Sequence, residues 1–284
     1  MTVFKTRQKI SVFGFLLLLM LSAVFFHGSA KPDAPLWRSD HHMHLASPEL
    51  CRLVGDCLES NHPPAVYAAD AVRELDRTHV AKGVILSCAY LYGLPSLHLK
   101  PDDVAKRTRT ENEFTAAEVA KFPTRLVGFF SVNPLQNSAL DEMRHWIGSR
   151  QLIGLKLHFV ASAVDIRNPD HRRRVTKVIS AAAAAHLPLV IHVGGGKFDA
   201  ADAELFIRDV LPSAGASWVQ IAHAGGGLPS IDENNLAVLR AFADHIVKTT
   251  RSRAKFFSIY PTCQHPMRLQ QQQLQSPRRC EGLG

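Results

Sequence analysis

The sequence predicts a parallel α/β protein of the (β/α)8 TIM-barrel type, incomplete at its C-terminal end, with six clear βα units. Three observations point there. Short apolar runs alternate with longer helical stretches between Leu36 and Val247, a polar or ionisable residue closes strand after strand, and the hydrophobic periodicity stops after Phe257. Short runs rich in β-branched and large apolar residues are how strands of a parallel sheet covered on both faces read. A doubly wound sheet shares that alternation, but no Gly-x-Gly-x-x-Gly opens the first helix, so a dinucleotide site lacks its phosphate cradle.

The first thirty residues stand apart from the fold. Lys5, Arg7 and Lys9 make a basic start, Ile10 to Phe26 form a nearly unbroken apolar run, and Gly28-Ser29-Ala30 supplies small residues for a signal peptidase. The expectation is a signal peptide over 1–30, a mature chain from Lys31, and a protein exported to the periplasm or secreted. An uncleaved membrane anchor is the rival, since the run is near the lower limit for crossing a bilayer.

The first strand candidate, LWRSDHH (36–42), runs into DHHMHL (40–45). Along a strand successive side chains alternate between faces, so Asp40, His42 and His44 share one face and His41 and Met43 the other. Two imidazoles two residues apart on one face can present nitrogens to a single divalent ion, with zinc the first expectation for such donors. A helix over 66–79 leads to the second strand, GVILSCA (83–89). A helix over 102–121 leads to the third, LVGFFSV (126–132), and one over 139–148 to the fourth, LIGLKLH (152–158). A helix over 171–185, with the tract SAAAAAH (180–186) at its end, precedes the fifth strand, LPLVIHV (187–193). A helix over 199–211 precedes the sixth, WVQIAHA (218–224), and a last helix covers 231–247.

His42 and His44 close the first strand, Lys156 and His158 the fourth, His192 the fifth and His223 the sixth. In a barrel those ends converge on one mouth, where active sites are built. Glycine triplets follow His192 and His223, at 194–196 and 225–227, and fit sharp turns at a pocket rim. Neither carries the lysine-serine ending of a P-loop.

Charge and cysteines narrow the partners. The formal charge of +8 resides in the leader and in residues 248–284, leaving the body near neutral, so there is no electrostatic footprint for nucleic acid. Five cysteines stand at 51, 57, 88, 263 and 280 without a Cys-x-x-Cys pair, which argues against a thiolate zinc site. In an oxidising compartment Cys51 and Cys57 are close enough in sequence to bridge a short loop. The expected partner is a small-molecule substrate, with no stable membrane partner once the leader is cleaved.

Taken together, these segments resemble the amidohydrolase superfamily, in the branch of metal-dependent barrel enzymes that includes aminocarboxymuconate semialdehyde and resorcylate decarboxylases. DHHMH (40–44) is similar to that family's first-strand Asp-x-His-x-His. ENEF (111–114) with FPTRLVGFFSVNP (122–134) resembles its helix and third strand, and GLKLH, VIHVGG and IAHAGG resemble its fourth, fifth and sixth strand ends. The resemblance spans about 36–247 and implies that His42, His44 and His192 are metal ligands and that His223 orients or protonates the reacting group. Lys156, at a strand end where some amidohydrolases carry a carboxylated lysine that bridges two metals but where a lysine can equally contact substrate or pair with a carboxylate, and His158 are further pocket candidates. Arg38, Tyr90, Tyr92 and Arg109 could contact an anionic substrate, although packing or surface roles are simpler for each.

The family pattern also calls for an eighth-strand aspartate that completes the metal shell. This chain has no aspartate after Asp244, and Glu281 is its only later carboxyl side chain. A seventh strand is expected near AKFFSIY (254–260); the glutamine- and arginine-rich residues that follow cannot bury much apolar surface. The organisation is therefore a leader over 1–30, an amidohydrolase-like barrel over 31–257 and an atypical, disordered tail over 258–284, with truncation or a frameshift explaining the missing aspartate. The expected function is metal-dependent hydrolysis of an ester, lactone or amide by activated water, with little or no activity in this truncated form. The alternatives are metal-dependent decarboxylation of an aromatic or unsaturated carboxylate, and a catalytically dead binding protein.

Overall fold

The computed structural model describes residues 37–57, 65–194, 197–225, 232–250 and 257–258, all in the compact unit that begins at Trp37. The expected leader, and the expected tail beyond Ser258, lie outside the described residues. No helix among the described residues is long and apolar enough to cross a membrane.

Seven strands pair in chain order, each parallel to the last: β1 (Trp37–His44), β2 (Val80–Leu86), β3 (Leu126–Ser131), β4 (Leu152–His158), β5 (Leu189–His192), β6 (Val219–Ile221) and β7 (Phe257–Ser258). Helices alternate with them: α1 (Pro48–Cys57), α2 (Ala68–Arg77), α3 (Pro101–Ala120), α4 (Ala139–Trp146), α5 (Pro169–Ala184), α6 (Ala200–Asp209) and α7 (Glu233–Thr250). The sheet curls as an incomplete TIM barrel. Among the described residues, no eighth strand joins β7 to β1.

The expected units are found, with differences at their edges and one added helix. Helix α1 is an addition. Strand β2 starts three residues before its expected position, and Ser87 to Ala89 leave the sheet for a 3-10 turn at Ala89–Gly93. The short Cys51–Cys57 bridge that the spacing leaves open does not fit this helix, on which Cys51 is a buried thiol. Cys57 follows six residues later on the same helix, and a helical rise of about 1.5 Å per residue puts the two Cα atoms roughly 9 Å apart, beyond disulfide reach.

Alternation along the strands sorts side chains between two cores. Leu155 and Leu157 of β4, Ile191 of β5 and Ile221 of β6 point outward into a cluster with Met143 and Trp146 of α4, Val175 and Ile179 of α5, Phe206 of α6 and Phe242 of α7. Fully burying each such side chain contributes about 1.5–3 kcal/mol. Leu86, Phe129 and Val190 form a smaller inner cluster with Ala222. Gly154 faces the same interior, and a Cβ there would lie 2.5 Å from the Phe129 ring. Helix starts are fixed locally. The Asn168 side chain accepts from the Asp170 and His171 N–H groups ahead of α5, and Asp199 and Asp202 form a capping box on α6.

One polar network ties α3 to the sheet. Asn112, fully buried, donates to the Ser131 carbonyl and accepts from the Ser131 N–H, each at 3.0 Å, and donates to Glu142 at 2.9 Å. Glu142 also accepts from Trp146 Nε1 at 2.6 Å and from Arg109 at 2.7 Å. Arg109 is thus committed to an ion pair within the fold.

Candidate functional site

From His42 to His44 the predicted alternation of β1 holds. Met43 packs outward with Leu45, Ala68 and Leu75, and the His42 ring turns to the interior, where its centroid is 5.0 Å from that of His44 and 4.5 Å from that of His223. A register shift between Asp40 and Met43 against β2 accompanies the turn. Asp40 is occupied locally, accepting from the His42 N–H at 2.8 Å.

Each remaining strand end adds a side chain. His158 and His192 are paired Cα partners on β4 and β5, and their rings stack with centroids 4.0 Å apart. The His192 ring lies 4.7 Å from that of His223. Beyond β6, His223 begins to turn away at φ +53°, a left-handed conformation that costs a non-glycine residue on the order of 1–3 kcal/mol. Gly225 follows at φ +78°, and a Cβ there would lie 2.7 Å from the Val238 side chain, so that turn requires glycine. Lys156, two residues before His158, is completely buried. The structure therefore brings all six predicted site residues together.

Hydrogen bonds set the rings' roles. His44 Nδ1 donates to the Leu86 carbonyl at 2.9 Å, which leaves Nε2 as the basic nitrogen. His158 Nδ1 accepts from the Ala161 N–H at 3.2 Å, and His192 Nε2 donates to the Gly194 carbonyl at 2.8 Å. Both ring nitrogens of His42 and of His223, His192 Nδ1 and Lys156 Nζ are buried without a hydrogen-bond partner among the described residues. Buried polar groups are ordinarily satisfied, so a cluster of orphans marks a place where a ligand belongs.

Burial is the first cause of the electrostatics. It pushes His42, His158 and His192 well below the ordinary histidine range, with Lys156 and neighbouring histidines adding to the effect. Burial and then Lys156 hold His223 down at about 3. Burial lowers Lys156 itself to about 7, with Cys88 opposing. Neutral imidazoles are what a divalent metal takes.

Residues beyond the strand-end pattern complete the site. Cys88 Sγ lies 3.4 Å from His44 Nδ1. Tyr90 is buried, hydrogen-bonds to Cys88 through its side chain, and sets its ring 4.7 Å from that of His158. Its N–H donates to Ser131 Oγ at 3.0 Å, so the Asn112 network reaches the site. Tyr92 takes a packing role instead, bonded with Ser47 around Glu111, whose carboxyl is raised chiefly by burial. Tyr90 is among the contacts named from the sequence; only its place just after the second strand could have signalled Cys88.

The residues fit a metal in donor type, burial and unsatisfied nitrogens. Their convergence is incomplete: among the described residues, no three His, Cys, Asp or Glu side chains already form a metal-holding group.

Parallel βα units with ionisable side chains gathered at the strand ends define a TIM-barrel protein with a buried, histidine-rich site. The sequence model of the amidohydrolase family matches residues 39–276, and the chain belongs to that family. Solved structures share the fold at low identity. Metarhizium anisopliae IDCase is 11% identical with a TM-score of 0.56, over 79% of this chain and 77% of that one. The 5-carboxyvanillate decarboxylase of Novosphingobium aromaticivorans, solved with manganese and 4-hydroxy-3-methoxy-5-nitrobenzoic acid, is 12% identical with a TM-score of 0.53, over 81% and 76%. The 5-carboxyvanillate decarboxylase LigW of Sphingomonas paucimobilis is 16% identical with a TM-score of 0.51, over 78% and 76%. A search of curated proteins finds no match.

Proposed function

We propose that the chain is a metal-dependent lyase that removes carbon dioxide from an aromatic or unsaturated carboxylate. The observation that carries this reading is the character of the site: the buried imidazoles of His42, His192 and His223 and the buried amine of Lys156 hold nitrogens without hydrogen-bond partners among the described residues, a set suited to holding an anion and moving a proton. Hydrolysis needs a base for the attacking water, commonly a carboxylate, whereas decarboxylation needs an anion held in place and a proton donor. The decarboxylases that share the fold support the same choice, and the sequence-based expectation of hydrolysis gives way to its alternative.

His42, His44 and His192 would hold a divalent metal, which when bound supplies positive charge to the substrate anion. Manganese in a fold relative supports a divalent ion, without singling out the zinc expected from the donors. His223 handles the proton. An entering carboxylate offsets the depression of its pKa, since a nearby negative charge favours the charged imidazole. The protonated ring delivers its proton to the carbon bearing the carboxylate. The bond to the carboxyl group then breaks, its electron pair restores the unsaturated system, and carbon dioxide leaves. His223, now neutral, regains a proton from water.

The test incubates the full chain with manganese and a panel of hydroxybenzoates and aryl lactones in 18O-labelled, deuterated water. Carbon dioxide release with deuterium at the vacated carbon is expected. Solvent 18O in a newly formed carboxylate, without carbon dioxide, would overturn the reading in favour of hydrolysis.

A further inference from the structure

We propose that Lys156 is the anion-recognition residue of this site, binding the carboxylate of the ligand through its amine and selecting carboxylates over uncharged analogues. The inference rests on the proposed reading of the site as one that takes a carboxylate, and it assigns that preference to a protein side chain rather than to the metal alone.

The placement of Lys156 carries the argument. It sits on β4, in register with Ser131 of β3 and Val190 of β5. Its neighbours Leu155 and Leu157 point outward into the helix-packed core, so Gly154, Lys156 and His158 line the interior. The Phe129 ring fills the space over Gly154, which closes the interior on that side of the lysine. The amine is left toward the histidines, and its charge acts on His42, His158, His192 and His223 alike.

Its chemistry is unfinished there. Lys156 has no exposed surface, and its Nζ has no hydrogen-bond partner among the described residues. Fully buried lysines are rare without a paired acid, because removing the group from water costs several kcal/mol unless a partner replaces the lost hydrogen bonds. A methionine would fill the same volume without that penalty. A carboxylate entering among the histidines supplies the missing acceptor, and an amine can donate N–H to it whether or not it carries the extra proton.

The experiment titrates the full-length, manganese-loaded protein with benzoate and with benzamide, which share a ring and differ in charge at the carboxyl position. A hydrogen bond to a charged group contributes about 1.5–3 kcal/mol, so the wild-type chain should prefer benzoate by roughly tenfold or more. In Lys156→Met that preference should shrink by roughly tenfold, benzoate losing far more affinity than benzamide; a merely structural lysine would weaken both ligands together. Lys156→Gln serves if the methionine variant does not fold, with thermal melting as the check. A variant that keeps the benzoate preference would assign recognition to the metal and overturn the proposal, as would a wild-type chain with no preference. The lyase reading falls separately, if carbon dioxide is not released while the lysine-dependent preference remains.

Discussion

The imidazoles of His158 and His192 lie face to face, with centroids 4.0 Å apart and planes 11° from parallel. Two rings stacked this closely and buried cannot both be charged at modest cost, since like charges at such a distance in a poorly hydrated interior repel strongly. Neutrality is therefore built into the site, and it has consequences for stability.

The first expected outcome is a loss of stability on acidification. His42, His158, His192 and His223 are lowered from 6.5 when folded, so below that value the unfolded chain binds protons that the folded chain does not. The contribution of these histidines is complete above pH 6.5 and falls as pH drops, continuing for His223 to about 3. Each such group contributes up to about 1.4 kcal/mol per pH unit within its window. Glu111, raised when folded, contributes with the opposite sign in the carboxylate range. Urea midpoints of the metal-free chain between pH 7.5 and 5.5 should decrease steadily; a flat series would show that the rings are solvated.

Lys156 defines a second window. Its amine is lowered from 10.5 to about 7, so wild-type stability falls as pH drops from the first value to the second. Lys156→Met should therefore be more stable than wild type at pH 7, with its advantage shrinking as pH approaches 10. Thermal melts of the pair across that range check the trend.

Metal binding should depend on β1. After loading with manganese or zinc and desalting, elemental analysis of the wild-type chain should find a divalent metal that the His42→Ala, His44→Ala double variant lacks. Equal metal content would remove these residues from the proposed ligand set.

Asn112→Ala should destabilise the chain by about 2–4 kcal/mol, because it leaves the N–H and carbonyl of Ser131 buried without partners. Loss of the Ser131 anchor also frees the Tyr90 backbone, so ligand affinity should fall with stability. Denaturant titration and ligand calorimetry on the same samples report both effects.

Gly154→Ala should cost about 1–3 kcal/mol through collision with the Phe129 ring. Adding Phe129→Leu should recover part of that loss, a non-additivity expected only of side chains in contact. Two independent, additive losses in chemical denaturation would mean that the ring does not limit this position.

The order of the βα units, the parallel sheet and the strand-end residues were legible in the sequence, because alternation along β1 and the apolar runs are local consequences of backbone geometry. From DHHMHL alone it followed that His42 and His44 share a face and Met43 takes the other, as the outward packing of Met43 bears out. What tertiary structure alone decided is the company these residues keep. The stacking of His158 on His192, the unpartnered amine of Lys156 and the approach of Cys88 to His44 all depend on strands tens of residues apart coming into register. The same dependence explains why Tyr90 reaches the site while Tyr92, two residues away, joins Glu111. A 3-10 turn sends the two side chains to different surroundings, and burial then sets their chemistry, because desolvation depends on the whole surrounding shell rather than on neighbours in sequence.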